Sequence, residues 1–94
     1  MNDKIMTLHP DGKAGVNINV PKYELIKEAI LVVIRELGEV TFTDLVAAVD
    51  HRLAGQFDGS IAWYVTTVKL DLEARTIIER IPGHKPQQLR LTNE

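Results

Sequence analysis

The stretch from Ser60 to Thr92 constrains the chain most, because its hydrophobic period changes once and at one place. Across SIAWYVTTVKLDLEAR, Ile61, Val65, Val68 and Leu72 recur at helical spacing and fall in one narrow stripe. After Arg75 the pattern becomes extended. Ile77 to Ile81 reads as one strand and Leu89 to Thr92 as its return, with Leu89 and Leu91 facing in and Gln88 and Arg90 facing out. The tip, Pro82-Gly83-His84-Lys85-Pro86, carries two prolines and a glycine, which prevent pairing there and stiffen the loop. The chain is thus organised around a helix that runs straight into a two-stranded hairpin.

Upstream, Ile5 to His9 reads as a strand and Pro10-Asp11-Gly12 as a turn. Val16, Ile18 and Val20 alternate with Asn17 and Asn19 as a half-buried return strand, and Gly15 marks a bulge or a close backbone approach. A first helix is expected from Pro21 to Leu37, stopped by Gly38, with Leu25, Ile26, Ala29, Ile30, Val33, Ile34 and Leu37 as its apolar stripe. Leu31 and Val32 exceed that stripe, so the N-terminal hairpin or a second subunit has to cover the remainder, the hairpin taking the larger share. Glu39 to Phe42 is a short extended connection with Phe42 a core anchor. A second helix then starts with Thr43 as its cap, buries Leu45, Val46, Val49 and Leu53, and stops at Ala54-Gly55. The link Gln56-Phe57-Asp58-Gly59 is longer than a tight helix-turn-helix allows. Ser60, the only serine, caps the third helix rather than acting as a nucleophile.

These elements predict an α+β fold: a winged helix with a three-helix core and a C-terminal hairpin wing, plus an N-terminal hairpin. All of residues 1–94 make one domain, with the hairpin over 1–20, the helices over 21–75 and the wing over 76–94. The absence of cysteine excludes disulfides and thiolate metal sites and fits a cytoplasmic protein. The longest apolar run, Ala29 to Ile34, falls far short of the roughly 20 residues of a membrane-spanning helix. Met1 to Leu8 has no apolar core of a secretory signal.

Catalysis finds no support in the residue pattern. His9, His51 and His84 fall on a turn, a helix and a wing tip, with nothing at metal-ligand spacing beside them. The glycines are spaced singly, so no phosphate-cradling loop is present. No catalytic residue, metal or cofactor is expected.

Net charge is -2, which gives no general attraction to nucleic acid. Residues 1–59 hold six Lys/Arg against nine Asp/Glu, whereas residues 60–94 hold five against four. On a helical wheel, the side of the third helix opposite its core stripe carries Trp63, Thr66, Thr67, Leu70 and Ala74, flanked by Lys69 and Glu73 on one side and by Tyr64 and Asp71 on the other. Two functions of different class follow. In the first, a dimeric DNA-binding regulator places this helix in the major groove of a duplex. Thr66, Thr67 and Lys69 then meet bases or phosphates, and Arg80, His84, Lys85 and Arg90 hold phosphates from the wing. In the second, Trp63, Tyr64, Leu70 and Ala74 form an interface with another protein or a second copy of the chain, with Leu31 and Val32 as a further apolar face. A third placement folds the N-terminal hairpin over the helix and buries Trp63 within one chain.

The run LDLEARTIIERIPGHKPQQLRLT resembles the end of the recognition helix and the wing of bacterial winged-helix regulators, in which Leu-Glu-x-Arg-Gly precedes a hydrophobic pair and Glu-Arg. With HPDGK and GSIAWYVTTVKLDLEAR, the chain also resembles, over nearly its full length, a family of small uncharacterised bacterial winged-helix proteins. That resemblance implies the fold and carries over no functional residue. Thr76 departs from the regulators, standing where they have the glycine that ends the helix in a left-handed turn.

Overall fold

A computed structural model describes residues 3–83 and 86–92. Over these residues the chain is a small α+β domain of three helices and two antiparallel sheets. In order these are β1 (Lys4–Met6), β2 (Asn17–Asn19), α1 (Val20–Leu37), β3 (Glu39–Thr41), α2 (Phe42–Leu53), α3 (Ile61–Ala74), β4 (Ile78–Arg80) and β5 (Gln88–Leu91). Strands β1 and β2 form one sheet, in which Ile5 faces Ile18. The second sheet has the order β3-β5-β4. The extended connection before α2 is therefore a strand in its own right, and it joins the terminal hairpin by setting Val40 beside Leu89.

Local chemistry explains most boundaries. Asn19 caps α1 by accepting the Lys22 amide at 3.3 Å, so the helix starts at Val20, one residue before the start that Pro21 indicates. At the other end Gly38, at φ 79, donates its amide to the Ile34 carbonyl at 2.7 Å, a left-handed stop that glycine adopts without steric cost. Helix α2 begins at Phe42, with Thr41 rather than Thr43 as its cap. Thr41 Oγ1 accepts the amide of Asp44, three residues on, which is the spacing of a capping box. Ser60 caps α3 as its sequence position predicts, accepting the Trp63 amide at 3.2 Å.

The core lies where the three helices and the second sheet meet. Ile26, Ile30 and Ile34 of α1, Leu45 and Val49 of α2, and Val65, Val68 and Leu72 of α3 are all fully enclosed, closed from below by Ile78 and Leu89. Leu25, expected in the α1 stripe, is exposed instead, because the buried arc is centred on Tyr23, Ile26, Ile30 and Val33 and Leu25 lies just past its edge, beyond Ala29. Leu37 also stands exposed, at the end of the helix. Val16 turns outward while Ile18 turns in, although the alternation puts both on one face. The pairing between Thr7 and Val16 supplies the reason. Thr7 Oγ1 both accepts the Val16 amide and donates to the Val16 carbonyl, at 2.9 and 3.1 Å, so beside the Thr7 amide's own bond to that carbonyl a side chain takes the place of one regular rung. Gly15 sits against this joint, with its α-carbon so close that a methyl group would fall 1.8 Å from the Thr7 carbonyl oxygen.

Thr76 ends α3 in a left-handed turn although it is not a glycine. At φ 59 it is the one non-glycine residue with positive φ among the described residues. Its amide donates to Glu73 and the Ile77 amide to Leu72, which satisfies the last carbonyls of α3 in a Schellman arrangement. A β-branched residue in this region costs about 1 to 3 kcal/mol. Thr76→Gly is therefore expected to stabilise the domain by about 1 kcal/mol after the entropy of the added glycine is set against the relieved strain. A urea midpoint at or below that of the parent protein would refute this.

Candidate interaction surface

The outer side of α3 divides along its length. Near the N-terminus, Trp63 is 46% exposed, with its ring edge-to-face against Tyr64 at 4.9 Å. Tyr64 is half-buried and meets Phe57 in the same geometry, also at 4.9 Å. Lys22 closes this aromatic group from α1. Its ammonium lies 5.6 and 5.5 Å from the Phe57 and Tyr64 ring centres and donates to the Asp58 carbonyl at 2.8 Å, which fixes the link between α2 and α3. Further along the helix, the N-terminal hairpin covers Thr67, Leu70 and Ala74, which are half-buried. The hairpin stops short of Trp63. A groove of about 170 Å³ remains between them, lined by Leu8 and Val16 from the hairpin and by Trp63, Thr67 and Leu70 from the helix. It continues past Leu8 into a shallower depression of about 520 Å³ that reaches Met6 and Ala74. Met6, Leu8, Val16 and Trp63 all present exposed apolar surface along this line.

The cations assigned to phosphate or base contacts are placed otherwise. Lys69 is only 6% exposed, which corrects its expected position on an open flank. Its ammonium lies 2.6 Å from Glu73 Oε2 and 5.3 Å from the Phe42 ring centre, under the start of α2. Glu73 also accepts Arg80 Nε at 2.6 Å, so one nearly enclosed carboxylate serves two cations. On the hairpin, Arg90 Nε donates to Glu79 across the β4 and β5 pair at 2.7 Å. Thr66 is exposed, but its hydroxyl donates to the Ala62 carbonyl within the helix. His84 and Lys85 lie outside the described residues. Leu31 and Val32 are half-buried on the outside of α1, where both line a shallow groove built from α1 residues alone, and Leu31 packs in part against the core.

What anchors the hairpin is a buried carboxylate that the wheel places on a solvated flank. Asp71 on α3 is fully enclosed. Its Oδ1 accepts the Leu8 amide at 2.8 Å, and its Oδ2 accepts both the Tyr23 hydroxyl and Arg75 Nε, the latter at 2.9 Å. One side chain thus joins the hairpin, α1 and the end of α3. Burial pushes the Tyr23 phenol well above its ordinary 10, and the bond to Asp71 and that carboxylate's charge push the same way. The bond with Asp71 likewise holds Arg75 above its ordinary range. A raised folded-state pKa means that Tyr23 adds stability in full below about pH 10 and loses it as pH rises above that value. Urea midpoints measured between pH 8 and pH 11 are expected to fall at the alkaline end in the parent protein and less steeply in Tyr23→Phe.

Among the described residues there is no group of three or more His, Asp or Glu placed to hold a metal ion, and no helix long and apolar enough to cross a membrane. Residues 4–89 match a family of unknown function, DUF6958. The chain belongs to this family. No curated protein matches it. In this DUF6958 chain the matched span runs from β1 to the middle of β5, so it includes the hairpin, the groove beside Trp63 and the Asp71 anchor.

Proposed function

We propose that this DUF6958 chain is a winged-helix domain that serves in the cytoplasm as a non-catalytic protein-interaction module, holding an apolar segment of another protein in the groove beside Trp63. The order of three helices with a strand before α2 and a hairpin after α3, and the sheet order β3-β5-β4, support the winged-helix reading. The observation that carries the interaction reading is the contrast between the two sets of side chains on and beside α3. Lys69, Arg80 and Arg90 are each matched by Glu73 or Glu79, whereas Trp63 stands half-exposed beside open apolar surface from Leu8 and Val16. A cation already held by a carboxylate must break that pair before it meets a phosphate, so these positions offer little counterion release. An exposed tryptophan at the mouth of an apolar groove is the side-chain type that dominates binding energy at protein interfaces.

Trp63 is the only tryptophan, so its emission reports on this site directly. Peptides selected from a random display library against the folded domain are expected to be rich in large apolar residues and to shift the Trp63 emission to the blue on titration. Leu70→Ala, which retains the fluorophore, is expected to weaken them by at least about tenfold. Duplex DNA at low salt is expected to leave the emission unchanged. Tight, salt-dependent duplex binding that is lost in Arg80→Ala with Arg90→Ala would overturn the reading in favour of DNA recognition.

A further inference from the structure

The outer face of α1 has a charge pattern that the groove beside Trp63 does not use. Glu24, Glu28 and Arg35 are all exposed and lie within about 40° of one another on a 100° wheel. Glu28 and Arg35, seven residues apart, are the opposite charges of this stripe and stand about 10.5 Å apart along it, while Glu24 lies one turn outside Glu28. Neither Glu28 nor Arg35 makes an ion pair among the described residues. Between them, Leu31 flanks the stripe on one side and Val32 on the other, and both are half-buried and line a groove open to solvent. We propose that this face binds a second copy of the chain, with the two α1 helices antiparallel about a two-fold axis that passes between Leu31 and Val32.

That axis sends each residue i to the level of residue 63 minus i on the other copy. Glu28 of each copy then meets Arg35 of the other, giving two equivalent ion pairs, while Glu24 falls beyond the level of the partner helix's end at Leu37. Residues on one flank stay on that flank, so Leu31 meets Leu31 and Val32 meets Val32 beside the axis, and the ion pairs bracket this apolar centre. A two-fold contact must be self-complementary, and opposite charges placed symmetrically about an apolar midpoint satisfy that condition. The parallel arrangement would set Glu28 against Glu28 and Arg35 against Arg35, so the charges also select the direction. The apolar centre is small, which makes the pairing reversible and sensitive to salt.

Sedimentation equilibrium is the test, with circular dichroism to confirm that each variant is folded. The parent protein is expected to show a reversible monomer-dimer equilibrium that weakens with added salt. Glu28→Arg and Arg35→Glu each leave like charges opposed, and each is expected to raise the dimer dissociation constant at least about tenfold. Mixing the two single variants is expected to restore dimers, because every Glu28→Arg chain then opposes two glutamates of an Arg35→Glu chain. The double variant, with both charges exchanged, is expected to regain the parent mass. Trp63→Ala should leave the mass unchanged, which separates this contact from the groove beside Trp63. A parent protein that is monomeric at millimolar concentration would overturn the proposal. So would a dimer that either single reversal leaves intact, or single variants that fail to pair when mixed.

Discussion

Replacing Asp71 by alanine is expected to lower the stability of the domain by about 3 kcal/mol, because the buried Tyr23 hydroxyl and the part-buried Leu8 amide both lose their acceptor. The Leu8 amide donates to one oxygen of this carboxylate and the Tyr23 hydroxyl to the other. Each orphaned group costs about 1 to 3 kcal/mol. Arg75 adds little, since its side chain is 35% exposed and can turn to water. Tyr23→Phe is expected to cost about 1 kcal/mol, as Asp71 keeps two of its three partners. In the double variant the two losses should sum to less than their separate values, because the phenylalanine leaves no hydroxyl to orphan. Urea unfolding of the three variants measures all of this. A loss below 1 kcal/mol in Asp71→Ala would mean that the carboxylate is not what holds the hairpin.

Gly15→Ala is expected to release the N-terminal hairpin while leaving the three helices folded. The added methyl would lie 1.8 Å from the Thr7 carbonyl oxygen and 2.6 Å from its carbon. Those are main-chain atoms, held by three hydrogen bonds between Thr7 and Val16, and they cannot turn aside as a side chain can. Opening that joint removes the bonds and unseats Leu8 from Asp71, for a loss of about 2 to 3 kcal/mol. Amide exchange should show Leu8 and Val16 unprotected with α1 and α3 still protected, and Trp63 emission should shift to the red as Leu8 and Val16 leave its groove. Gly12→Ala is the control. It has φ 75 and open space around it, so it costs only the left-handed strain and leaves the hairpin seated. Equal behaviour of the two variants would refute the close-approach argument.

The elements that could be read from residues alone are those whose signal is local. The Ser60 cap, the Gly38 stop, the α3 stripe of Val65, Val68 and Leu72, and the inward Leu89 each depend on spacing or backbone chemistry within a few residues. Gly15 belongs with them, since a glycine inside a strand pattern already signals a close approach. What failed to show was decided by distant parts of the chain. Lys69 and Asp71 look like ordinary flank charges on a wheel, and the distant residues that meet them, Phe42 at Lys69 and Leu8 and Tyr23 at Asp71, leave no trace in that pattern. Tyr23 sits on the apolar stripe three residues before Ile26, a legible hint of burial, yet its partner is 48 residues away. The surface line of Leu8, Val16 and Trp63 was hidden for the same reason. It combines a hairpin with a helix, and no periodicity within either element reports their meeting.

The β3 strand has a consequence for how the protein is made. Its partner β5 lies beyond both later helices, with Val40 paired to Leu89. A ribosome delivers the N-terminal part first, so α1, α2 and α3 can assemble while Glu39 to Thr41 still lacks its neighbour. Until Leu91 has emerged, a strand edge and the enclosed floor of the core stay open together. Synthesis speed through Ile78 to Leu91, and the chaperones present at that moment, are then expected to govern how much of the chain reaches its native form.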